Sequence, residues 1–393
     1  MQPVEIVPGI RWVGVLDPQL RIFDVIMRAE QGTTYNAYLV EGAEKTALVE
    51  TAKGRFTEKF LETLSQAVDP GRIDYVVLNH LEPDHSGALG ALLERAPKAQ
   101  VVVTKPGSVF LRQILNRDVS PMVVTDGQEI DLGGKTLRFL LAPFLHWPDT
   151  MFTYVPEDGV LFPCDFLGAH YCDDRLFNDL VDNYDYAFRY YFQVIMRPFK
   201  EHVRRGLEKI EGLDLKVVCP SHGPILRARI GEYLEKYRQW SAPPPPRDRK
   251  RLLVFYASSY GNTEAMARAI AKGAREGGAD VEVFDLVGVD FQAVLDEIET
   301  ADGVAVGSCT INADALEHAW ELLASVATIQ VKGKLGAAFG SYGWSGEGPK
   351  MLAERMRGLK FRVPEEPLRV QLVPSAEDLE TCVAYGRKLA EAL

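Results

Sequence analysis

The segment LNHLEPDHSGAL places two histidines and two carboxylates in one short run: His80, Glu82, Asp84 and His85. Imidazole and carboxylate together are ligands that suit iron, zinc and manganese. Alternate side chains of an extended segment point the same way, so His80 and Glu82 can share one metal ion. Asp84 and His85, at the turn into a helix, can serve a second ion. A polar loop that caps the helix would account for one acid, but not for the whole group.

Three further candidate ligands follow apolar runs that resemble strands: His146 in FLHWPDTM, Asp165 in LFPCDFLG and His222 in VCPSHGP. Side chains at strand ends can converge on one edge of a sheet, so these residues can meet the first group. A lone histidine is more often structural than a ligand. Together, however, the two groups supply enough ligands for two metal ions. The remaining histidines stay outside the set: His170, His202 and His318. We interpret the last two as solvated helix histidines.

Three loops in the C-terminal part suit a phosphate and a flat ring. The first, YASSYGNTEAMA, offers hydroxyls and the N–H groups of a helix start, without the lysine of an ATP-binding loop. A capped helix after a serine-rich turn would explain this loop alone. The others, GSCTINAD and FGSYGWSGEG, follow predicted parallel strands at the edge where ligands bind. Tyr342 and Trp344 lie among the glycines of the last loop and suit stacking on a ring.

The chain that positions these residues divides into two parts at WSAPPPPRDRKRLLVFYASS, because four successive prolines cannot continue a helix. We predict a domain at 1–242, a proline-rich linker at 243–250 and a second domain at 251–393. In the second domain, predicted strands and helices alternate. Its strands are 252–256, 281–286, 303–308 and 334–341, and its helices include 263–276 and 376–393. This pattern predicts a five-stranded, doubly wound parallel sheet.

The first domain has several strand-like runs between residues 9 and 50 without a helix among them. Further along, the pattern predicts helices at 55–67, around 87–95 and at 106–116, and strands at 75–79, 136–142 and 150–163. Many strands with few helices between them indicate two packed sheets with helices outside, an αββα sandwich.

The composition narrows the classes of function. The net charge of −11, from 44 basic and 55 acidic residues, argues against binding to nucleic acid. No apolar run approaches the roughly 18 residues that span a bilayer, and the N-terminus does not resemble a signal peptide. The five cysteines are scattered and form no C-x-x-C pair. We therefore expect a cytoplasmic protein without disulfide bonds, and without a membrane or nucleic-acid partner.

The run H-x-[E/H]-x-D-H, followed by H, D and H at strand ends, resembles the metallo-β-lactamase superfamily. Its zinc hydrolases have a histidine where this chain has Glu82, and a hard oxygen ligand favours iron over zinc. The chain resembles the flavodiiron proteins in this run and in the segments LHWPD, SHG, GTTYNAYLV and HYCDDRLFND. The resemblance implies a diiron centre with the following ligands. His80, Glu82 and His146 hold one iron, Asp84, His85 and His222 hold the other, and Asp165 bridges them.

The three C-terminal loops resemble those of flavodoxin and imply FMN. The implied cofactor-binding residues are Ser258, Ser259, Tyr260, Gly261, Asn262, Thr263, Thr310, Ile311, Asn312, Ala313, Ser341, Tyr342, Gly343, Trp344 and Gly346. The middle loop departs from relatives, which commonly have Pro-Thr and Asn-Gly. This chain has Cys309-Thr310 and Ala313-Asp314 at these positions. The added aspartate near the flavin ring could shift the reduction potential of the flavin.

The resemblance implies an oxidoreductase that reduces O2 to water, NO to N2O, or both. Because the chain carries no rubredoxin or NAD(P)H-oxidase module, we expect a separate donor such as rubredoxin, a reduced deazaflavin or another reductase. The resemblance also implies a head-to-tail homodimer or a dimer of dimers. Asp24 replaces a histidine that many relatives carry, and Arg21 is expected to keep it ionised. Asp24 and Tyr171 are the candidate catalytic residues, and we expect O2 to be preferred over NO.

Two alternatives remain open. The first is a zinc hydrolase of the glyoxalase II type with an appended FMN domain. Glu82 and the complete ligand set argue against it, and a metal analysis decides. The second is an electron carrier whose metal site is structural. Structural sites are usually closed and rich in cysteine, and the set predicted here contains none.

Overall fold

The computed structural model describes residues 2–25 and 27–393, with the side chain of Gln292 excepted. The chain folds into two compact units, one ending at Ala242 and the other running from Pro243 to Leu393. The division coincides with the start of the proline run.

Two sheets form the frame of the first unit. The seven-stranded sheet has the spatial order Val4–Val7, Ile10–Trp12, Tyr38–Glu41, Thr46–Val49, Tyr75–Val77, Gln100–Val103 and Met122–Val123. The five-stranded sheet has the order Glu129–Asp131, Thr136–Leu141, Met151–Val155, Val160–Phe162 and Val217–Val218. Two short antiparallel pairs complete the strands, Val15–Asp17 with Thr33–Tyr35 and Ile22–Phe23 with Met27–Arg28.

The two sheets can pack face to face, with helices outside, because their strands carry apolar side chains on both faces. In Thr46–Val49, Ala47 and Val49 enter the core between the sheets, whereas Leu48 enters the core beneath the helices. On that outer side it joins Phe60, from the helix Thr57–Ala67. The predicted αββα sandwich is therefore confirmed.

The three helices predicted in the first unit are observed close to their predicted positions, and the structure adds others that the sequence analysis did not predict. The helices of this unit are Thr57–Ala67, Pro83–Ser86, Leu89–Arg95, Lys105–Leu115, Tyr184–Tyr191, Lys200–Ile210 and Ile230–Ser241. Single turns of 3-10 helix lie at Gly54–Phe56, Pro70–Arg72 and Arg197–Phe199, and a π-helical turn at Phe192–Met196. The helix predicted around 87–95 is preceded by the separate turn Pro83–Ser86. A Cβ on Gly87, between the two helices, would lie 2.4 Å from the backbone nitrogen of Gly54, so this close contact needs glycine.

The second unit is a parallel sheet in the spatial order Asp280–Asp285, Arg251–Ala257, Gly303–Ser308, Leu335–Tyr342 and Leu368–Gln371. Its helices are Asn262–Glu276, Phe291–Thr300, Glu317–Ser325, Gly348–Gly358 and Ala376–Ala392, with a 3-10 turn at Val326–Thr328. In the strand Arg251–Ala257, Leu253 and Phe255 face one helical layer, and Leu252 and Val254 face the other. The five-stranded, doubly wound prediction is confirmed.

Candidate metal centre and flavin cavity

The first unit brings all seven predicted metal ligands together at one edge of its two sheets. The run from His80 to His85 follows the strand Tyr75–Val77, Asp165 follows Val160–Phe162, and His222 follows Val217–Val218. His146 lies in the loop between Thr136–Leu141 and Met151–Val155.

Three of these side chains form a first group around one carboxylate oxygen. Glu82 Oε2 lies 3.0 Å from His80 Nε2 and 3.2 Å from His146 Nε2. A second group forms around Asp84, whose Oδ2 lies 3.1 Å from His222 Nε2 and whose Oδ1 lies 3.4 Å from His85 Nε2. Each group offers two imidazole nitrogens and one carboxylate to a single point.

Asp165 lies between the two groups and presents one oxygen to each. Its Oδ2 is 3.7 Å from His80 Nε2 and 3.4 Å from His146 Nε2. Its Oδ1 is 3.4 Å from His85 Nε2 and 3.5 Å from His222 Nε2. This is the arrangement of a carboxylate that bridges two metal ions.

The residues present fit two cations. Several buried atoms of the cluster find no hydrogen-bond partner in the described chain: Asp84 Oδ1, His85 Nε2 and both carboxylate oxygens of Asp165. Buried polar atoms are almost always paired, and an unpaired buried carboxylate is costly. Nitrogen and oxygen ligands without sulfur suit iron, zinc or manganese.

The pKa values of the cluster show how strongly these groups attract positive charge. Burial acts to lower the pKa of His146, but hydrogen bonds to Asp165 and Glu82 raise it to about 10. Burial acts to raise the pKa of Asp165, but the charge of His85 and the contact with His146 hold it well below its usual range. Metal ions replace protons at such ligands.

A second layer of groups orients the ligands from behind. The ring nitrogen of His80 that faces away from Glu82 lies 3.3 Å from Asp149 Oδ1, and Asp149 Oδ2 accepts the N–H of Leu81 at 2.9 Å. His222 donates from Nδ1 to the carbonyl of Thr34 at 2.6 Å. Each contact directs Nε2 toward the cluster, as partners of metal-bound histidines do.

The sequence interpretation missed Asp149 and Glu50. Glu50 is buried behind His85, with its Oε2 3.7 Å from His85 Nδ1, and its Oε1 accepts the N–H of Asn79 at 2.9 Å. Burial raises the pKa of Glu50 to about 8. An acid directly after the apolar run TALV was an available signal, since a charged residue at a buried strand end needs a partner.

Of the two candidate catalytic residues, Asp24 lies near the ligands and Tyr171 does not. Burial raises the pKa of Asp24, and so do the nearby charges of Glu82 and Asp84. Tyr171 instead donates its hydroxyl to the carbonyl of Asp182 at 2.6 Å.

The residue before Tyr171 is the one that packs against a predicted ligand. His170 takes the inward position and packs its ring 5.3 Å from that of His222, and the next side chain of an extended segment points the other way. His170 is fully buried, with Nδ1 3.0 Å from the hydroxyl of Thr33. The other two histidines outside the set, His202 and His318, lie on helices and are half-buried.

The three loops of the second unit enclose a cavity of ≈ 300 Å³. The predicted residues that line it are Ser259, Tyr260, Asn262, Thr310, Ile311, Ser341, Tyr342, Gly343 and Trp344. Cys309 and Leu372 also line it, and the prediction did not include them. Tyr260 is 90% exposed and Trp344 is 81% exposed. Two large exposed aromatic rings beside a cavity suit the stacking of a flat ring.

The remaining predicted flavin residues shape the loops rather than the cavity wall. Thr263 pairs its hydroxyl with that of Ser341 at 2.8 Å, and Ser258 Oγ is buried without a partner in the described chain. Gly261 and Gly346 have positive φ angles, as do Asn312 and Ala313, the turn of the hairpin Thr310–Ile311 and Asp314–Ala315. These loops fit the phosphate and ring of FMN.

Asp314 does not line the cavity. Its carboxylate accepts the indole N–H of Trp320 at 3.0 Å and the backbone N–H of Ala315 at 2.7 Å. The hydroxyl of Ser259 lies 3.4 Å from the Cys309 sulfur, so of the two departures in the middle loop only the cysteine faces the cavity.

The two family models that match the chain fall on either side of the boundary between its two units. Residues 33–223 match the ODP family beta lactamase model, and residues 254–386 match the flavodoxin model. The chain is 48% identical over 398 residues to the type A flavoprotein fprA of Rhodobacter capsulatus, covering 100% of this chain and 92% of the relative. It is 40% identical over 397 residues to the nitric oxide reductase of Moorella thermoacetica, covering 99% and 98%.

Among solved structures, the chain is similar to rubredoxin oxygen:oxidoreductase from Desulfovibrio gigas. The TM-score is 0.71 at 32% identity, over 100% of this chain and 98% of that one. No helix in the described residues has the length and apolar character needed to cross a membrane. FMN and a diiron centre are the cofactors of this group of oxidoreductases. The chain belongs to the flavodiiron, or type A flavoprotein, family.

Proposed function

We propose that the protein reduces O2 to water, NO to N2O, or both. The observation that carries this proposal is the position of Asp165, with one oxygen facing each group of ligands. A carboxylate shared in this way would hold two irons close together, as two-metal sites that act on one small molecule require. Relatives named nitric oxide reductase and rubredoxin oxygen:oxidoreductase support the choice of substrates.

In the proposed site, His80, Glu82 and His146 would hold one iron, and Asp84, His85 and His222 would hold the other. The FMN would be held by residues 258–263, 310–313 and 341–344 and by Gly346. When bound, the irons and the FMN would supply the redox chemistry.

The chain's own groups set the geometry and move protons. Asp149 and the carbonyl of Thr34 hold His80 and His222 with Nε2 toward the cluster. Asp24, the candidate catalytic residue, accepts protons from water at its carboxylate and passes them toward the substrate, because O2 reduction to water consumes one proton for every electron. The electrons come from a separate donor, such as rubredoxin or a reduced deazaflavin.

The test is turnover of the reduced, iron-loaded protein with O2 and with NO, side by side and with one saturating donor. We expect O2 to be reduced faster, and an NO rate far above the O2 rate would reverse that preference. Zinc in both sites of protein made with ample iron, together with hydrolase activity, would instead favour the glyoxalase II alternative.

We also propose a cytoplasmic, head-to-tail homodimer, in which the flavin of one subunit serves the irons of the other. The five cysteines are all free, which supports a reducing compartment. Sedimentation that shows a fully active monomer would contradict the dimer.

A further inference from the structure

The ligand His222 lies in a short loop, residues 220–223, that belongs to no helix or strand. We call these residues the His222 loop. A loop without a ladder of its own must find partners for its buried backbone groups elsewhere in the chain. On one side, the N–H of Ser221 donates to the carbonyl of Cys164 at 2.8 Å, directly before Asp165. The loop is therefore tied to the segment that carries the shared carboxylate.

Asn36 binds the loop from another part of the chain through three hydrogen bonds. Its side-chain N–H groups donate to the carbonyls of Pro220 at 2.8 Å and Gly223 at 2.9 Å, one at each end of the loop. Its backbone N–H donates to the carbonyl of Ser221 at 2.8 Å. Asn36 is 1% exposed, so water does not compete for these bonds.

The orientation of the Asn36 amide is fixed by the groups around it. Its Oδ1 accepts the indole N–H of Trp12 at 2.8 Å. The reversed amide would turn its NH2 group toward this donor and its oxygen toward two carbonyls, so only one orientation pairs every group. An unpaired buried group is costly, which makes the reversed state unfavourable. Trp12 therefore orients the amide, and the amide holds both ends of the loop.

Two residues on either side of Asn36 bind the same loop. The hydroxyl of Tyr38 donates to the carbonyl of Pro220 at 2.6 Å, and the hydroxyl of Thr34 accepts the N–H of Gly223 at 2.7 Å. The carbonyl of Thr34 accepts from Nδ1 of the ligand ring at 2.6 Å. One short segment, residues 34–38, thus binds both the ring of the ligand and the backbone that carries it.

We propose that Asn36 is a positioning residue for the iron held by His222. The amide keeps the loop in place, and the loop keeps His222 Nε2 3.1 Å from Asp84 Oδ2 and 3.5 Å from Asp165 Oδ1. A ligand that is ordered before the ion arrives loses little freedom when it binds, so its affinity is higher. This inference rests on the proposed site, in which His222 holds one of the two irons.

The test measures the affinity for iron at each site in the anaerobic protein loaded with iron and FMN. The protein is equilibrated with graded amounts of an iron chelator, native mass spectrometry counts the remaining ions, and anomalous diffraction shows which site has lost iron. The variants are Asn36→Ala and Tyr38→Phe. Alanine removes all three side-chain bonds of Asn36 without adding charge or bulk near the irons. Phenylalanine removes one bond to the same loop.

Asn178→Ala is the matched control. Asn178 is 3% exposed and also binds a loop, donating to the carbonyl of Ala228 at 2.7 Å and accepting the N–H of Arg227 at 2.9 Å. That loop carries none of the seven ligands. Thermal unfolding of the metal-free protein is measured in parallel, and both alanine variants should lower the melting temperature. A loss of stability alone would therefore not account for a loss of iron at one site.

We expect Asn36→Ala to lower the affinity for iron at the site of His222 by about 10- to 100-fold, as for other groups that support metal ligands. The site of His146 should keep its affinity. Tyr38→Phe should give a smaller loss of about 2- to 10-fold at the site of His222, and it tests the proposal even if Asn36→Ala does not fold. Asn178→Ala should leave both affinities unchanged.

Three results would overturn the proposal: an unchanged affinity at the site of His222 in the folded variants, equal losses at both sites, or the same loss in Asn178→Ala. Iron binding does not depend on turnover. If the native protein reduces neither gas while the variants lose the iron of His222, the proposed function fails and the positioning role of Asn36 stands.

Discussion

Replacing Asp149 by asparagine should remove iron from one site of the pair and spare the other. Asp149 is buried and accepts from two donors, His80 Nδ1 at 3.3 Å and the Leu81 N–H at 2.9 Å. Asparagine has one oxygen, so its amide NH2 group must face one of these donors. An unpaired buried donor costs about 1–3 kcal/mol. At about 1.4 kcal/mol for each factor of ten, the affinity for iron at His80 should fall by about 10- to 100-fold.

The effect should be confined to one site because the supporting carboxylates are divided between the two groups. Asp149 lies behind His80, which belongs to the group around Glu82. Glu50 lies behind His85, which belongs to the group around Asp84. Glu50→Gln should weaken the opposite site by a smaller factor, because glutamine keeps an acceptor for the Asn79 N–H and loses only the 3.7 Å contact with His85.

The assay is equilibration of the loaded, anaerobic protein with graded amounts of an iron chelator. Native mass spectrometry counts the ions that remain, and anomalous diffraction from crystals of the partly depleted protein shows which site has lost iron. Asp118→Asn is the control, since its side chain is 88% exposed. Parallel loss of both irons in the Asp149 variant, or no loss, would refute the division of the supporting groups.

The remaining predictions concern the bridge, the cofactor content and the flavin loops. Metal analysis and the flavin spectrum should give about two irons and one FMN per chain. Asp165→Ala should cost more turnover than Trp344→Ala, because the carboxylate contacts both ligand groups; equal losses with iron intact would show that it is not the bridge. Thr263→Val breaks the 2.8 Å bond to Ser341 and should lower FMN affinity by about 1 kcal/mol, measured by flavin fluorescence. Ala313→Gly should stabilise the second unit by about 1 kcal/mol, since alanine holds a φ of 61° there, and a lowered melting temperature would contradict this.

The three inner strands of the second unit could be predicted to within one residue at each end because they are buried on both faces. The predicted run 303–308 is observed as Gly303–Ser308, and 252–256 as Arg251–Ala257. Continuous apolar segments between glycine-rich loops have few alternative interpretations. The ligand run was equally clear, because no ordinary loop collects two histidines and two acids in such a short stretch.

The supporting layer could not be predicted with the same certainty, because it depends on contacts between distant parts of the chain. Glu50 meets His85 and Asp149 meets His80 only after the strands have paired. Asp149 has no local pattern that separates it from a solvated acid, and the position of Glu50 after the apolar run TALV does not identify the residue that it contacts. The contacts of His170 and Tyr171 could not be predicted for a different reason: which of two neighbouring side chains packs against His222 depends on the backbone of the loop.

Burial divides the cluster into a sealed half and an open half. The rings of Phe23, Tyr35 and His170 pack around His222 and close that half against water. The other half ends at Glu82 and His146, the two most exposed ligands. Under the proposed function, a small gas molecule and the protons that follow it would approach from the Glu82 edge. Glu82 is also the position at which the zinc hydrolases carry histidine. Under the proposed function, the carboxylate that favours iron over zinc would therefore lie on the side from which the substrate approaches.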